Sequence, residues 1–204
     1  MWVIRPATRT RQANQERMKS VNPKLLIALA GVVALAVFLK LGNPHKKYSQ
    51  QDFWKSATVE DVNQIPQEAL LRGNKNGPVL MWAATTTTDP RIIAALVERG
   101  ADVNEPDAIF SGTPLSAAAG YSSSPAIIDE LIRLGAEIDK VVGSNNKTPL
   151  IIASEINPQP EIVESLIRNG ADTAYRDLTG RTALEQAIRF QNSSVVKILK
   201  ENTK

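Results

Sequence analysis

Between Leu115 and Asp139 the apolar residues fall into two short blocks, Leu115 with Ala118, then Ile127, Ile128, Leu131 and Ile132. Spacings of three and four put each block on one face of a helix, so the pattern predicts a pair of short helices. Ala118 leaves room for the second helix to approach the first. Between the blocks, Ser124 and Pro125 supply an N-cap and a proline at the first helical position, where a missing N–H costs nothing. Gly135 closes the second helix as a left-handed stop. The polar stretch up to Thr148, rich in Asp, Asn and Gly, suits a reversing loop.

The same arrangement returns in register 35 residues to either side, in the columns Leu80/Leu115/Leu150, Ala83/Ala118/Ala153, Pro90/Pro125/Pro160, Ile92/Ile127/Ile162, Leu96/Leu131/Leu166, Gly100/Gly135/Gly170 and Ala101/Ala136/Ala171. A fixed period of this length predicts stacked units, each a supersecondary element that cannot bury its apolar face alone.

The motifs at the unit boundaries carry a resemblance. Thr113-Pro114-Leu115, Thr148-Pro149-Leu150 and Thr182-Ala183-Leu184 open first helices, while Gly100-Ala101-Asp102-Val103-Asn104, Gly135-Ala136-Glu137-Ile138-Asp139 and Gly170-Ala171-Asp172 follow second helices. In these motifs the chain resembles the ankyrin-repeat family from about Ser49 onward. The resemblance implies an all-α fold, an ankyrin-repeat solenoid of paired short helices. The chain departs from the family in two ways. The usual histidine after ThrProLeu is replaced by Met81, Ser116, Ile151 and Glu185, which removes its hydrogen bond to the neighbouring loop. The usual period of about 33 is also lengthened. Leu150 to Leu166 is sixteen residues and Leu184 to Leu199 fifteen, so one added residue falls in the turn between helices and the other in the reversing loop.

Residues 52–76 read as a degenerate first unit. Phe53, Trp54 and Ala57 give one apolar helix, and Val59, Val62, Ile65, Leu70 and Leu71 give a second, interrupted by Pro66 and stopped at Gly73. Solenoids need atypical end units, so this segment is expected to cap the repeats of residues 77–204, with Trp54 in its core. At the other end Lys200 stands where Val97, Ile132 and Ile167 stand in earlier units, giving the polar outer face that a C-terminal cap requires.

Ahead of the repeats, Leu25 to Leu39 is an unbroken run of apolar or small residues, followed by Lys40 and Leu41. As a helix, residues 25–41 measure about 25 Å, the short end of a membrane span, and Lys40 can snorkel to its edge. No small-x-small cleavage pattern follows the run, which favours an uncleaved signal anchor over a removed signal peptide. The leader, residues 1–24, carries six cations against Glu16, so the positive-inside tendency holds it in the cytoplasm and sends the repeats across. The expectation is a transmembrane helix in a bacterial inner membrane, single-pass, with the repeats facing the periplasm and a linker over residues 42–51.

The net charge of +3 invites a nucleic-acid partner, but it originates ahead of the repeats. From Ser49 onward there are fifteen cations and twenty anions, which disfavours a phosphate-backbone ligand. The chain has no cysteine, and its single histidine, His45, lies in the linker, so the repeats hold no group for a Ser-His-Asp or Cys-His nucleophile. No phosphate-cradling glycine motif or metal-binding HExxH is present. These absences point away from an enzyme, a cofactor, a metal and a small-molecule substrate.

Recognition is what the resemblance implies: arrays of this family bind proteins through their loop tips and the concave face of their first helices. By register, the candidate protein-binding residues are Trp82, Phe110, Tyr121, Ile152, Glu155, Tyr175, Arg176 and Arg189. Aromatic residues and arginine among them are the side chains enriched at binding hot spots. Small anchored proteins of this kind suggest an immunity protein that neutralises a secreted toxin such as a lipase effector. The alternatives are an accessory protein supporting a catalase in oxidative-stress defence and a general envelope scaffold.

Overall fold

Proline recurs at the start of the helices, and its fixed φ and absent N–H suit the first helical turn. The computed structural model describes residues 46–70, 78–107 and 111–202. The leader, the apolar run 25–41, Leu71, Gly73 and Phe110 lie outside the described residues. Within them, no helix is long and apolar enough to cross a membrane.

An N-terminal group of short helices, α1 (Gln51–Ser56), α2 (Val59–Asn63) and α3 (Gln67–Leu70), precedes four helix pairs. The pairs are α4 (Val79–Thr86) with α5 (Pro90–Glu98), α6 (Pro114–Tyr121) with α7 (Pro125–Arg133), α8 (Pro149–Ile156) with α9 (Pro160–Arg168), and α10 (Ala183–Arg189) with α11 (Ser193–Asn202). First helices pack on first helices and second on second, giving an inner row α4-α6-α8-α10 and an outer row α5-α7-α9-α11. Among the described residues the only β pairing is an isolated bridge between Val142 and Lys147.

The repeated columns form the core. Leu80, Leu115 and Leu150, Ala83, Ala118 and Ala153, and Leu96, Leu131 and Leu166 are all at most 1% exposed. Each buried leucine contributes about 1.5–3 kcal/mol of transfer free energy, and the alanines let the two rows approach closely. Thr113, Thr148 and Thr182 cap the inner helices, each accepting a hydrogen bond from the backbone N–H three residues on. Ser124 occupies the N-cap position of α7, but its side chain makes no cap bond, whereas Asp89 caps α5 at Arg91 N–H.

Each outer helix before the last ends on a glycine of positive φ: 98° at Gly100, 98° at Gly135 and 95° at Gly170. The glycine N–H and that of the following alanine turn back to the helix, as in Ala136 N–H to the Leu131 carbonyl at 2.9 Å and Gly135 N–H to the Ile132 carbonyl at 2.9 Å. This paired closure needs a left-handed residue, which glycine adopts without penalty.

The N-terminal group is built around Trp54, which is fully buried, stacks edge-on against Phe53 at 4.8 Å and donates from Nε1 to the Tyr48 carbonyl at 2.9 Å. Tyr48 is itself buried and lies in a 3₁₀ turn, Lys46–Ser49. The linker expected over residues 42–51 is therefore folded into the array from Lys46. The second apolar block splits at Pro66 into α2 and α3, as expected where proline removes a helical donor. Arg99, at the end of α5, donates to the carbonyls of Val62 and Ile65, the latter at 2.6 Å, and its own carbonyl accepts from Gln67 Nε2 at 3.0 Å. These bonds fasten the end unit to the first full pair.

Candidate protein-binding surface

Both added residues have a structural role in placing the exposed face. Inner helices α4, α6 and α8 end on Thr87, Ser122 and Asn157, each with extended backbone and each buried. The side chain then accepts the N–H two residues on: Asp89 to Thr87 Oγ1 at 3.2 Å, Ser124 to Ser122 Oγ at 3.2 Å and Gln159 to Asn157 Oδ1 at 2.8 Å. The last pair lacks this residue, and α10 closes instead through Gln191 at φ 59°, with Asn192 N–H bonded to the Ala187 carbonyl at 2.9 Å. In the reversing loop, Val142 and Lys147 enclose residues 143–146, whereas Asp177 and Arg181 enclose 178–180. The longer tip is the second addition.

Neighbouring units are tied by side chains rather than by the missing histidine. Asn104 accepts from Glu137 N–H at 2.9 Å and donates to the Gly135 carbonyl at 3.0 Å, and Asp139 accepts from Asp172 N–H at 3.1 Å one unit later. Asn157 Nδ2 reaches back to the carbonyls of Ala119 at 2.8 Å and Ser122 at 3.1 Å. On the outer row, Asp129 accepts from Ser165 at 2.7 Å, from Arg168 at 2.8 and 2.9 Å and from Asn169 at 2.7 Å. Burial raises the Asp129 carboxyl, but these hydrogen bonds and the Arg168 charge outweigh it and leave its pKa lowered. Asp129 thereby joins α7 to α9.

The solvent face of the inner row carries an apolar ladder. Tyr121, Ile156 and Phe190 occupy the same position in three successive units and are 69%, 44% and 48% exposed. Gly120 lies beside them, and the space a side chain would fill there is taken by Ile156 and Ile152, whose atoms stand 3.1 and 3.2 Å from an ideal Cβ. Glycine at this position thus lets the two isoleucines lie against the α6 backbone. At the end of the ladder the Arg189 guanidinium sits over the Phe190 ring, 5.4 Å from its centroid. Among the described residues no carboxylate pairs with Arg189.

The other candidates distribute differently. Ile152 is half-buried, and Glu155 has a side chain only 6% exposed, bound through Oε2 to Lys147 at 2.6 Å, with Oε1 buried and unpaired. Trp82 and Tyr175 are half-buried and pack on the core, so they do not stand free as the register suggested. Gln186, in the same register column as Trp82, is buried and donates to Asp177 Oδ2 at 2.7 Å. Arg176 is exposed but engaged, donating to the Gly180 carbonyl at 2.6 Å and to Glu185 at 2.9 Å. Phe110 lies outside the described residues. Of the candidates, Tyr121 and Arg189 are exposed on the inner row, Ile152 and Glu155 are partly covered, and Ile156 and Phe190, in the register column of Tyr121, are exposed as well.

Asp177 organises the last loop. It is buried and accepts from Thr179 N–H at 2.8 Å, Thr179 Oγ1 at 2.6 Å, Arg181 N–H at 3.1 Å and Gln186 Nε2. Burial raises its carboxyl, and these donors more than offset that, setting the pKa at about 2. It is a loop anchor that accepts three hydrogen bonds at Oδ1 and one at Oδ2. Among the described residues no group of three His, Cys, Asp or Glu side chains is placed to hold a metal ion. Leu178, 67% exposed at a loop tip, and Ile188, 54% exposed on α10, add apolar surface that the sequence reading did not single out. A row of exposed apolar side chains such as Tyr121, Ile156 and Phe190 marks an interaction site in a folded domain.

Comparison with known families matches two overlapping stretches, residues 80–177 and 115–204, to a family model described as ankyrin repeats, in three copies. No curated protein matches the chain.

Proposed function

This chain belongs to the ankyrin-repeat family, and from that premise we propose that it is a membrane-tethered module that holds a protein partner on the extracytoplasmic side of a bacterial inner membrane. The observation that carries the binding reading is the ladder of Tyr121, Ile156 and Phe190, apolar and exposed at one position of three consecutive units. Such rows are costly to leave in water and are retained where a partner covers them. The tether rests on the apolar run 25–41 behind a leader of six cations and one anion. Family membership indicates protein–protein interaction.

In the finer reading, the partner is a secreted toxin, for instance a lipase effector, and the chain is its immunity protein. An anchored array would meet such an enzyme at the membrane where it acts and neutralise it by covering it. The test is recovery of the full-length chain in mild detergent at native level, followed by mass spectrometry of what co-purifies, in parallel with a Tyr121→Ala, Phe190→Ala double variant. A stoichiometric hydrolase, inhibited on binding and lost from the double variant, is the expected result. A catalase whose activity is maintained would replace the immunity role with an accessory one. Recovery of the same proteins by both forms would remove the ladder as the binding surface.

A further inference from the structure

The chemistry of the ladder and of its surroundings bears on what kind of segment it accepts, an inference that rests on the binding role proposed above. Charge is unevenly distributed along the array. Residues 49–180 hold ten cations and eighteen anions, whereas residues 181–204 hold five cations (Arg181, Arg189, Lys197, Lys200 and Lys204) against Glu185 and Glu201. The ladder runs from Tyr121 in the acidic part to Phe190 in the basic part. At its basic end Arg189 is held over the Phe190 ring with no carboxylate partner among the described residues. The guanidinium thus lies beside the last rung of the ladder, where a carboxylate of a bound segment would meet it.

The spacing of the rungs selects the backbone of the ligand. Packed helices lie about 8–10 Å apart, so successive rungs, at the ends of α6 and α8 and at the residue closing α10, are separated by about that distance. Side chains seven residues apart on an α-helix are about 10.5 Å apart and share one face. In an extended strand the same-face spacings are about 6.6 and 13 Å, and neither fits.

We propose that the ladder binds an amphipathic helix of the protein partner that carries apolar side chains at seven-residue intervals and an acidic side chain beyond the last of them, set against Arg189. The apolar residues cover Tyr121, Ile156 and Phe190. The carboxylate accepts from the Arg189 guanidinium.

The probes are three synthetic 21-residue helical peptides with leucine at three positions seven apart. One ends in two glutamates, one ends in two lysines, and one repeats the acidic version with a central proline. Binding to the full-length chain in detergent is measured by fluorescence anisotropy. The acidic peptide is expected to bind at least tenfold more tightly than either other, with the preference reversed in Arg189→Glu. Equal binding of acidic and basic peptides, or a preference unchanged in Arg189→Glu, overturns the charge assignment. Equal or tighter binding of the proline-broken peptide overturns the helix assignment. If none of the peptides binds while capture of the native partner still requires Tyr121 and Phe190, the helix inference fails and the binding role stands. If that capture also ignores the two residues, both fail.

Discussion

Replacing Asn157 by alanine tests how the long turn is built. Its side chain is 1% exposed and makes three hydrogen bonds, donating to the carbonyls of Ala119 at 2.8 Å and Ser122 at 3.1 Å and accepting from Gln159 N–H at 2.8 Å. Each such bond is worth about 1 kcal/mol net, and partners left buried without a substitute add to the loss. Alanine has no rotamer freedom to lose on folding, which offsets part of this loss, so the expected destabilisation is about 2–4 kcal/mol. For a chain of this size about 2–4 °C of midpoint follows each kcal/mol, giving a fall of roughly 4–16 °C in thermal unfolding monitored by circular dichroism. Asn157→Ser is the informative control. Serine can accept the N–H two residues on, as Ser122 does at 3.2 Å, but cannot reach back to α6. Keeping one bond of three, it should lose about two thirds as much. A midpoint within about 1 °C of wild type for Asn157→Ala would refute this account of the turn. Equal losses for the two variants would show that the local bond carries nothing.

The remaining predictions concern pH and topology. The Asp177 carboxyl, at about 2 against an ordinary 3.8, contributes stability that is fully present above its unfolded pKa and is lost as pH falls through about 2. Between pH 4 and pH 2 the unfolding midpoint of wild type should therefore fall more steeply than that of Asp177→Asn, and parallel curves would contradict the hydrogen-bond assignment. A reporter active only outside the cytoplasm, fused after Lys204, should be active, and a cytoplasm-only reporter at the same place should be silent. The opposite pattern would remove the anchor orientation and the roles that depend on it.

The array was legible because its core repeats. Leu131, Ala118 and Gly135 each recur 35 residues away in either direction, and a column of one residue type reports one environment many times over. What did not repeat was harder to read. Thr87, Ser122 and Asn157 share a position but not a residue type, and they are equivalent only through the oxygen that each presents to the N–H two residues on. Asp129 faces outward by helical register, yet Ser165, Arg168 and Asn169 of the next outer helix reach it, a contact that no spacing within one helix encodes. Register also put both Trp82 and Tyr121 on the accessible face. In the structure the tryptophan leans on the core and the tyrosine stands out, because exposure depends on the side chains supplied by neighbouring units.

The most direct test of a protein-binding inner face is site-specific photo-cross-linking of the full-length anchored chain. A photoreactive residue replaces Ile156 on the ladder or, in a second form, Glu164, which is exposed on outer helix α9. A discrete cross-linked partner from the Ile156 position and none from Glu164 is the predicted result. Cross-links from Glu164 alone would place the partner on the outer row and contradict the inner-face binding site.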